Sequence, residues 1–254
     1  MKLKIRKAFQ HRGKNSSLNM RLLLISNSTN PGEEYLGYPA EYIKAFLGEK
    51  PLKALFIPYA AVTFSYDAYE EKVSARFRAL GHEIISIHHF SDPVEAVKMA
   101  SAIIVGGGNT WKLLKMIRDN NLIDIIKQKV TGGTPYIGWS AGANVVCPTI
   151  KTTNDMPVVE PDSMGAFNLV HFQINPHYTD SNLPGHAGET REQRIEEFIE
   201  ANPGIYVAGL REGTLLLREN ETLRLYGSKK IRIFKKGSNP AEFGESDDLS
   251  FMLR

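Results

Sequence analysis

The stretch "YIGWSAGANVVC", residues 136–147, sets Ser140 between Gly138 and Gly142 directly after an apolar run. This fits G-x-S-x-G, in which a sharp strand-to-helix turn lifts a serine hydroxyl above a sheet edge. Small flanking residues let such a turn close, and the N–H of Ala141 opens the next helix, aimed at a developing oxyanion. An unperturbed hydroxyl is a weak nucleophile and needs a base. Seven histidines are available. His11 lies near the N-terminus, and His82, His88 and His89 gather around one apolar run, where they read as surface or core-edge residues. His171 opens a short strand and His186 lies in a glycine-rich loop. His177, in "FQINPHYTD", ends a short apolar segment after a proline that stiffens the backbone, a good place for a fixed imidazole. The orienting carboxylate stays open between Asp155 in "TTNDMP" and Glu212 in "GLREGT", because triads occur in any chain order.

A second glycine turn, "VGGGNT", also follows an apolar run. It is no dinucleotide fingerprint, since Trp111 stands where a third glycine belongs, and the chain has no G-K-S/T. What remains is a turn around Gly108 that exposes backbone N–H groups, with Asn109 or Thr110 placed to cap the following helix. No histidine pair has zinc-site spacing, so neither a metal nor a cofactor is expected. The single cysteine, Cys147, sits two helical turns past Ser140 among apolar residues and reads as packing.

These turns need a frame. "MRLLLISNS", "LKALFIPYA", "EIISIHHF", "ASAIIVGGG" and "TPYIGWS" are near-continuous apolar runs, as expected of parallel strands buried on both faces. Helical stretches fall between them near 37–47, 66–80, 93–100 and 110–131, the last dividing at Asn120 and Asn121. The alternation predicts an α/β fold with a doubly wound, mostly parallel sheet. After Cys147 come long loops, and then a capping box, Thr190 with Gln193, opens a helix. Four runs from "GIYVAGL" to "KIRIFKK" predict C-terminal strands, the later ones joined as β-hairpins. A single domain over 20–254 is expected, preceded by a basic tail over 1–19.

That tail carries six of the 31 basic side chains and no acid, so the remaining 25 face 28 acidic residues. The body is therefore mildly negative and offers no electrostatic footprint for nucleic acid. No apolar run approaches the roughly 20 residues of a bilayer span. With one cysteine there is no intramolecular disulfide, which is compatible with a cytoplasmic location.

Several long segments in order, "LLLISNST", "FIPYA", "IIVGGGNT", "YIGWSAGAN", "CPTIKTTNDMP", "QINPHYT" and "GHAGETREQRI", resemble peptidase E, the aspartyl dipeptidase family of serine exopeptidases. The likeness covers Met20 to about Gly213. It implies a flavodoxin-like fold related to class I glutamine amidotransferase domains. Those relatives use a cysteine and a His-x-Glu pair; here a serine holds the elbow and His177-Tyr178-Thr179 lacks the glutamate. The implied activity is hydrolysis of Asp-Xaa dipeptides, with Ser140 as nucleophile, His177 as base and Asp155 or Glu212 as third member. It further implies N–H groups of Gly108 and Ala141 as oxyanion donors, Arg191 and Asn109 as substrate-binding residues, and a monomer or homodimer. A related hydrolase of a cyanophycin-like aspartyl polymer and a non-catalytic binding module are the rival expectations.

Overall fold

A computed structural model of the protein describes residues 20–181, 185 and 187–254. The basic segment 1–19 and His186 lie outside the described residues.

The apolar runs form a sheet of seven strands. Its parallel part comprises β1 (Arg21–Ile25), β2 (Lys53–Ile57), β3 (Glu83–Ser86), β4 (Ile103–Val105) and β5 (Tyr136–Trp139). They lie in the order β3-β2-β4-β5-β1. Leu22 to Ile25, Ile103 to Val105 and Tyr136 to Trp139 are all buried, which explains the absence of period-two alternation. The helices α1 (Ala40–Leu47), α2 (Tyr66–Ala79), α3 (Pro93–Met99), α4 (Thr110–Asp119) and α5 (Leu122–Thr131) connect them, with a short 3-10 turn at Ile87–His89. Asn121, in a left-handed conformation at φ 56°, breaks the predicted long helix into α4 and α5. Apolar cores form on both faces: Leu22 and Leu24 face one, Leu23 and Ile25 the other. That alternation makes the fold doubly wound.

Ser140 follows β5 and opens α6 (Ala141–Asn144). Beyond it, β6 (Gln173–Tyr178), α7 (Arg191–Ala201) and β7 (Val207–Arg211) lead to the antiparallel strands β8 (Thr214–Glu219) and β9 (Thr222–Gly227), which extend the first sheet beside β1. The predicted capping box of α7 is present, Thr190 with Gln193. The strands β10 (Ile231–Lys235) and β11 (Ser238–Phe243) complete a second sheet of four, in the order β11-β10-β7-β6. This sheet is where the structure departs most from the sequence pattern. β11 is polar and largely exposed, so no apolar run announces it. β6 starts at Gln173, after the exposed His171 rather than at it.

Candidate active site

The carboxyl ends of β4, β5 and β1 meet beside β6, at the edge of the sheet where ligands of open α/β folds bind. Ser140 stands at the end of β5 with φ 54° and ψ −112°, a conformation that costs a non-glycine residue of order 1–3 kcal/mol. Its N–H donates to the Ile25 carbonyl at 2.9 Å, and its carbonyl receives the N–H groups of Ala143 and Asn144. The flanking glycines are steric requirements. A Cβ on Gly138 would run into the carbonyl oxygen of Gly142, and one on Gly142 into that of Val105. A Cβ on Gly107 would reach 2.9 Å from that of Ser140.

His177 approaches from the second sheet. Its Nε2 lies 2.8 Å from the Ser140 Oγ, and its Nδ1 lies 2.7 Å from Oε1 of Glu212. The histidine occupies an irregularity between Pro176 and Tyr178 in the β6–β7 pairing, with φ 55°. Ser26, at the end of β1, holds it there by accepting the His177 N–H at 3.0 Å while donating to the Leu210 carbonyl at 2.7 Å. Glu212 sits in the tight turn from β7 to β8, whose Gly213 takes φ +81° and donates its N–H to Asn27 Oδ1 at 2.8 Å. Neither Ser26 nor Asn27 had a chemical reason to be singled out in the sequence. Both anchor the backbone of a functional side chain. Asn144 joins α6 to β6 by donating to the Ile174 carbonyl at 2.7 Å, so the elbow and the histidine strand are fixed to each other.

The second carboxylate is engaged elsewhere. Asp155 Oδ2 accepts from the Thr110 N–H at 2.8 Å, the Thr110 hydroxyl at 2.6 Å and the Thr153 hydroxyl at 3.1 Å. It thus sits at the positive end of α4 while lining the same cavity as Ser140 and His177. Glu212, and not Asp155, holds the imidazole. Asn109 caps α4: its side-chain oxygen accepts from Lys112 N–H at 3.0 Å, and its nitrogen donates to the Met156 carbonyl at 2.8 Å. It is absent from the cavity lining and fixes the Asp155 loop instead.

The cavity has a volume of about 600 Å³, within the range of small-molecule sites. Tyr35, Phe64, Tyr69, Lys72 and Trp139 wall it beside Gly107, Gly108 and Ser140. Tyr69 is buried and braces the glycine turn, donating to the Gly107 carbonyl at 2.8 Å and accepting from the Trp139 indole at 3.2 Å. Gly108 takes φ +135°, and a Cβ there would run into the Ala60 carbonyl. Among the described residues no backbone carbonyl accepts the N–H of Gly108 or of Ala141; Gly108 lines the cavity, and Ala141 is buried next to Ser140 at the start of α6.

Arg191 is the first residue of α7 and does not line this cavity. Its neighbour Glu192 bonds Arg232 at 2.7 Å. Arg191 has no carboxylate partner among the described residues. Burial and the neighbouring Arg194 lower its pKa, as expected of a half-buried cation at a helix N-terminus. Lys72, by contrast, does line the cavity, with its ammonium 4.1 Å from the centre of the Tyr35 ring. Cys147 is buried, its Sγ accepts the Ile174 N–H at 3.2 Å, and burial pushes its thiol up to about 12.

A serine on a strained elbow, bonded to an imidazole whose other nitrogen meets a carboxylate, beside two N–H groups that no backbone carbonyl accepts, is the arrangement by which hydrolases attack acyl groups. The family model of peptidase family S51 matches residues 22–226. A peptidase E from Nostoc sp. strain PCC 7120 is 53% identical over 236 residues, 93% of this chain and 98% of that protein. A peptidase E from Shigella flexneri serotype 5b is 45% identical over 227 residues, 89% of this chain and 99% of the relative. The crystal structure of a peptidase from an acI-B1 Actinobacterium superposes with a TM-score of 0.65 at 20% identity, over 92% of this chain and 98% of that one, which speaks to the fold. The chain belongs to peptidase family S51 and is a peptidase. No helix among the described residues is long and apolar enough to cross a membrane.

Proposed function

We propose that the protein is a serine exopeptidase that hydrolyses Asp-Xaa dipeptides through an acyl-enzyme on Ser140. The observation that carries this reading is the continuous chain Ser140–His177–Glu212, with links of 2.8 and 2.7 Å. His177 Nε2 takes the Ser140 proton as Oγ attacks the scissile carbonyl, and Glu212 holds the Nδ1–H tautomer. The N–H groups of Gly108 and Ala141 receive the oxyanion, a type of contact worth about 3–4 kcal/mol. His177 then protonates the leaving amine, and water enters by the same base to release the aspartyl group.

Such a substrate presents one amine and two carboxylates, and two complementary charges, Asp155 and Lys72, line the cavity. Asp155 takes the α-amine: Glu212 is committed to His177, and Glu189 pairs at 3.6 Å with Arg194. Arg191 reads the aspartate side chain from outside the cavity lining, since its planar fork suits a carboxylate and has no carboxylate partner among the described residues. Lys72, a point charge on a flexible stem, meets the C-terminal carboxylate.

The test is a substrate panel of Asp-Leu, Asn-Leu, Asp-Leu-amide and N-acetyl-Asp-Leu. Asp-Leu is expected to be cut best by far. Arg191→Met should erase the preference over Asn-Leu, and Lys72→Met the preference over Asp-Leu-amide. Equal cleavage of N-acetyl-Asp-Leu would refute the exopeptidase reading in favour of an aspartyl polymer, and no cleavage of any peptide would favour a binding module.

A further inference from the structure

Where the start of α2 meets the 3-10 turn after β3, outside the lining of the Ser140 cavity, four potential metal ligands converge. One ligand atom from each of Asp67, Glu70, His88 and His89 lies within 4.8 Å of all the others. Asp67 and Glu70 are three residues apart on the helix and so share one face. His88 and His89 come from the 3-10 turn after β3. His88 Nε2 lies 3.0 Å from Asp67 Oδ1, His89 Nε2 lies 2.5 Å from Glu70 Oε2, and the two imidazole centres are 4.0 Å apart.

The outer contacts prepare these atoms for a cation. The other nitrogen of His88, Nδ1, lies 2.6 Å from the Ser86 hydroxyl, which fixes the ring and leaves Nε2 directed at the cluster. Glu70 Oε1 accepts the Ser86 N–H at 2.7 Å, leaving Oε2 as the ligand atom. Tyr66 packs on the His88 ring at 5.6 Å. Such outer contacts are the usual support of metal-bound histidines. Glu70 and His88 are mostly covered, with side chains 17% and 19% exposed, while Asp67 is 78% exposed and gives an entry path. A tetrahedral zinc ion with bonds of about 2.0–2.2 Å sets its ligands roughly 3.3–3.5 Å apart, so small rotations of these side chains suffice. Two imidazoles disfavour calcium and magnesium, which take all-oxygen shells.

We propose that Asp67, Glu70, His88 and His89 form a binding site for a divalent transition-metal ion, zinc by preference, that clamps α2 to the end of β3. The ion stands apart from the serine chemistry and takes no step in it. Its effect is on the scaffold, because the same turns of α2 carry Ala68, Tyr69 and Lys72 into the wall of the Ser140 cavity. Binding to the folded state alone raises its stability in proportion to the logarithm of free metal.

Untagged protein, stripped with EDTA and exchanged into chelator-free buffer, is titrated with zinc chloride by calorimetry and by thermal melting. One zinc per chain is expected, with a Tm that rises with zinc, while millimolar magnesium or calcium leaves Tm unchanged. Cobalt should give the intense visible bands of a tetrahedral site. His89→Gln, on a side chain 45% exposed, should weaken zinc binding at least tenfold without loss of fold, and Ser86→Ala by about 10- to 100-fold. His177→Ala, which removes the imidazole–carboxylate pair of the catalytic chain, should bind zinc as the wild type does. Unchanged zinc affinity in His89→Gln, loss of binding in His177→Ala, or no zinc-dependent rise in Tm would each overturn the proposal.

Discussion

Replacing Glu212 by glutamine separates the two candidate carboxylates. The side chain keeps its volume but loses its charge, so the 2.7 Å bond to His177 Nδ1 becomes an ordinary hydrogen bond. Hydrogen bonds to charged groups contribute about 1.5–3 kcal/mol. Because the Glu212 side chain is 45% exposed, water screens and partly replaces it, and the lower half of that range applies, about 1.5–2 kcal/mol. At 1.36 kcal/mol per decade, kcat should fall roughly 10- to 30-fold, with KM nearly unchanged. Tm should hardly move, since Glu212 bonds an exposed edge. Asp155→Asn should behave in the opposite way. It weakens a cap on α4 that accepts three hydrogen bonds, at a cost of about 0.5–2 kcal/mol in stability, and it raises KM by discarding the acceptor for the substrate amine. Steady-state kinetics on Asp-Leu, with thermal melts of both variants, decide the matter. A Glu212→Gln enzyme with wild-type kcat beside an Asp155→Asn enzyme with an intact KM and a collapsed kcat would refute the assignment.

Other expectations follow from the packing. Gly142→Ala forces a methyl group into the Val105 carbonyl and should abolish activity while lowering Tm, whereas Ala143→Gly, one residue on, should keep most turnover. Cys147, buried with its thiol held near 12, should resist iodoacetamide at pH 8, and treated enzyme should retain full activity; rapid labelling of the folded protein would contradict its burial. His82 is buried, and burial lowers its pKa from 6.5, so it takes up a proton at lower pH in the folded state than in the unfolded chain. As pH falls through 6.5 the unfolded chain takes up this proton more readily than the folded one, and stability drops. His82→Met should flatten the fall of Tm below pH 6.5; an unaltered slope would assign the acid sensitivity to other groups.

What the sequence made legible and what it hid have physical reasons. The five parallel strands could be read because burial on both faces makes each a continuous apolar run, and Leu22 to Ile25 are wholly buried. The elbow could be read because Gly138, Ser140 and Gly142 are local neighbours whose spacing is itself the steric device. The choice of Glu212 over Asp155 could not, since it depends on the pairing of β6 with β7 and on the irregularity that turns His177 toward the β7–β8 turn. The sequence offers Arg191 for the substrate carboxylate; among the described residues it has no carboxylate partner, yet it does not line the Ser140 cavity, whereas Lys72 does and carries no local sequence signal, because only the packing of α2 brings it to the cavity wall. The histidine–carboxylate cluster has no local spacing to read, because its pairs are 19 and 21 residues apart and meet only where α2 packs on the end of β3. Strand β11 stayed hidden because an exposed polar edge leaves no hydrophobic pattern to read.

The central claim is that Ser140 is the nucleophile, and turnover of Asp-Leu by wild type and Ser140→Ala tests it most directly. Both are assayed as folded proteins of equal Tm, with amine release followed to long times. The variant should lose more than about 10³-fold in kcat, the residue of activity being what the oxyanion donors supply alone. A variant that cuts Asp-Leu within tenfold of the wild-type rate would mean that Ser140 serves only the turn, and that another group attacks the peptide.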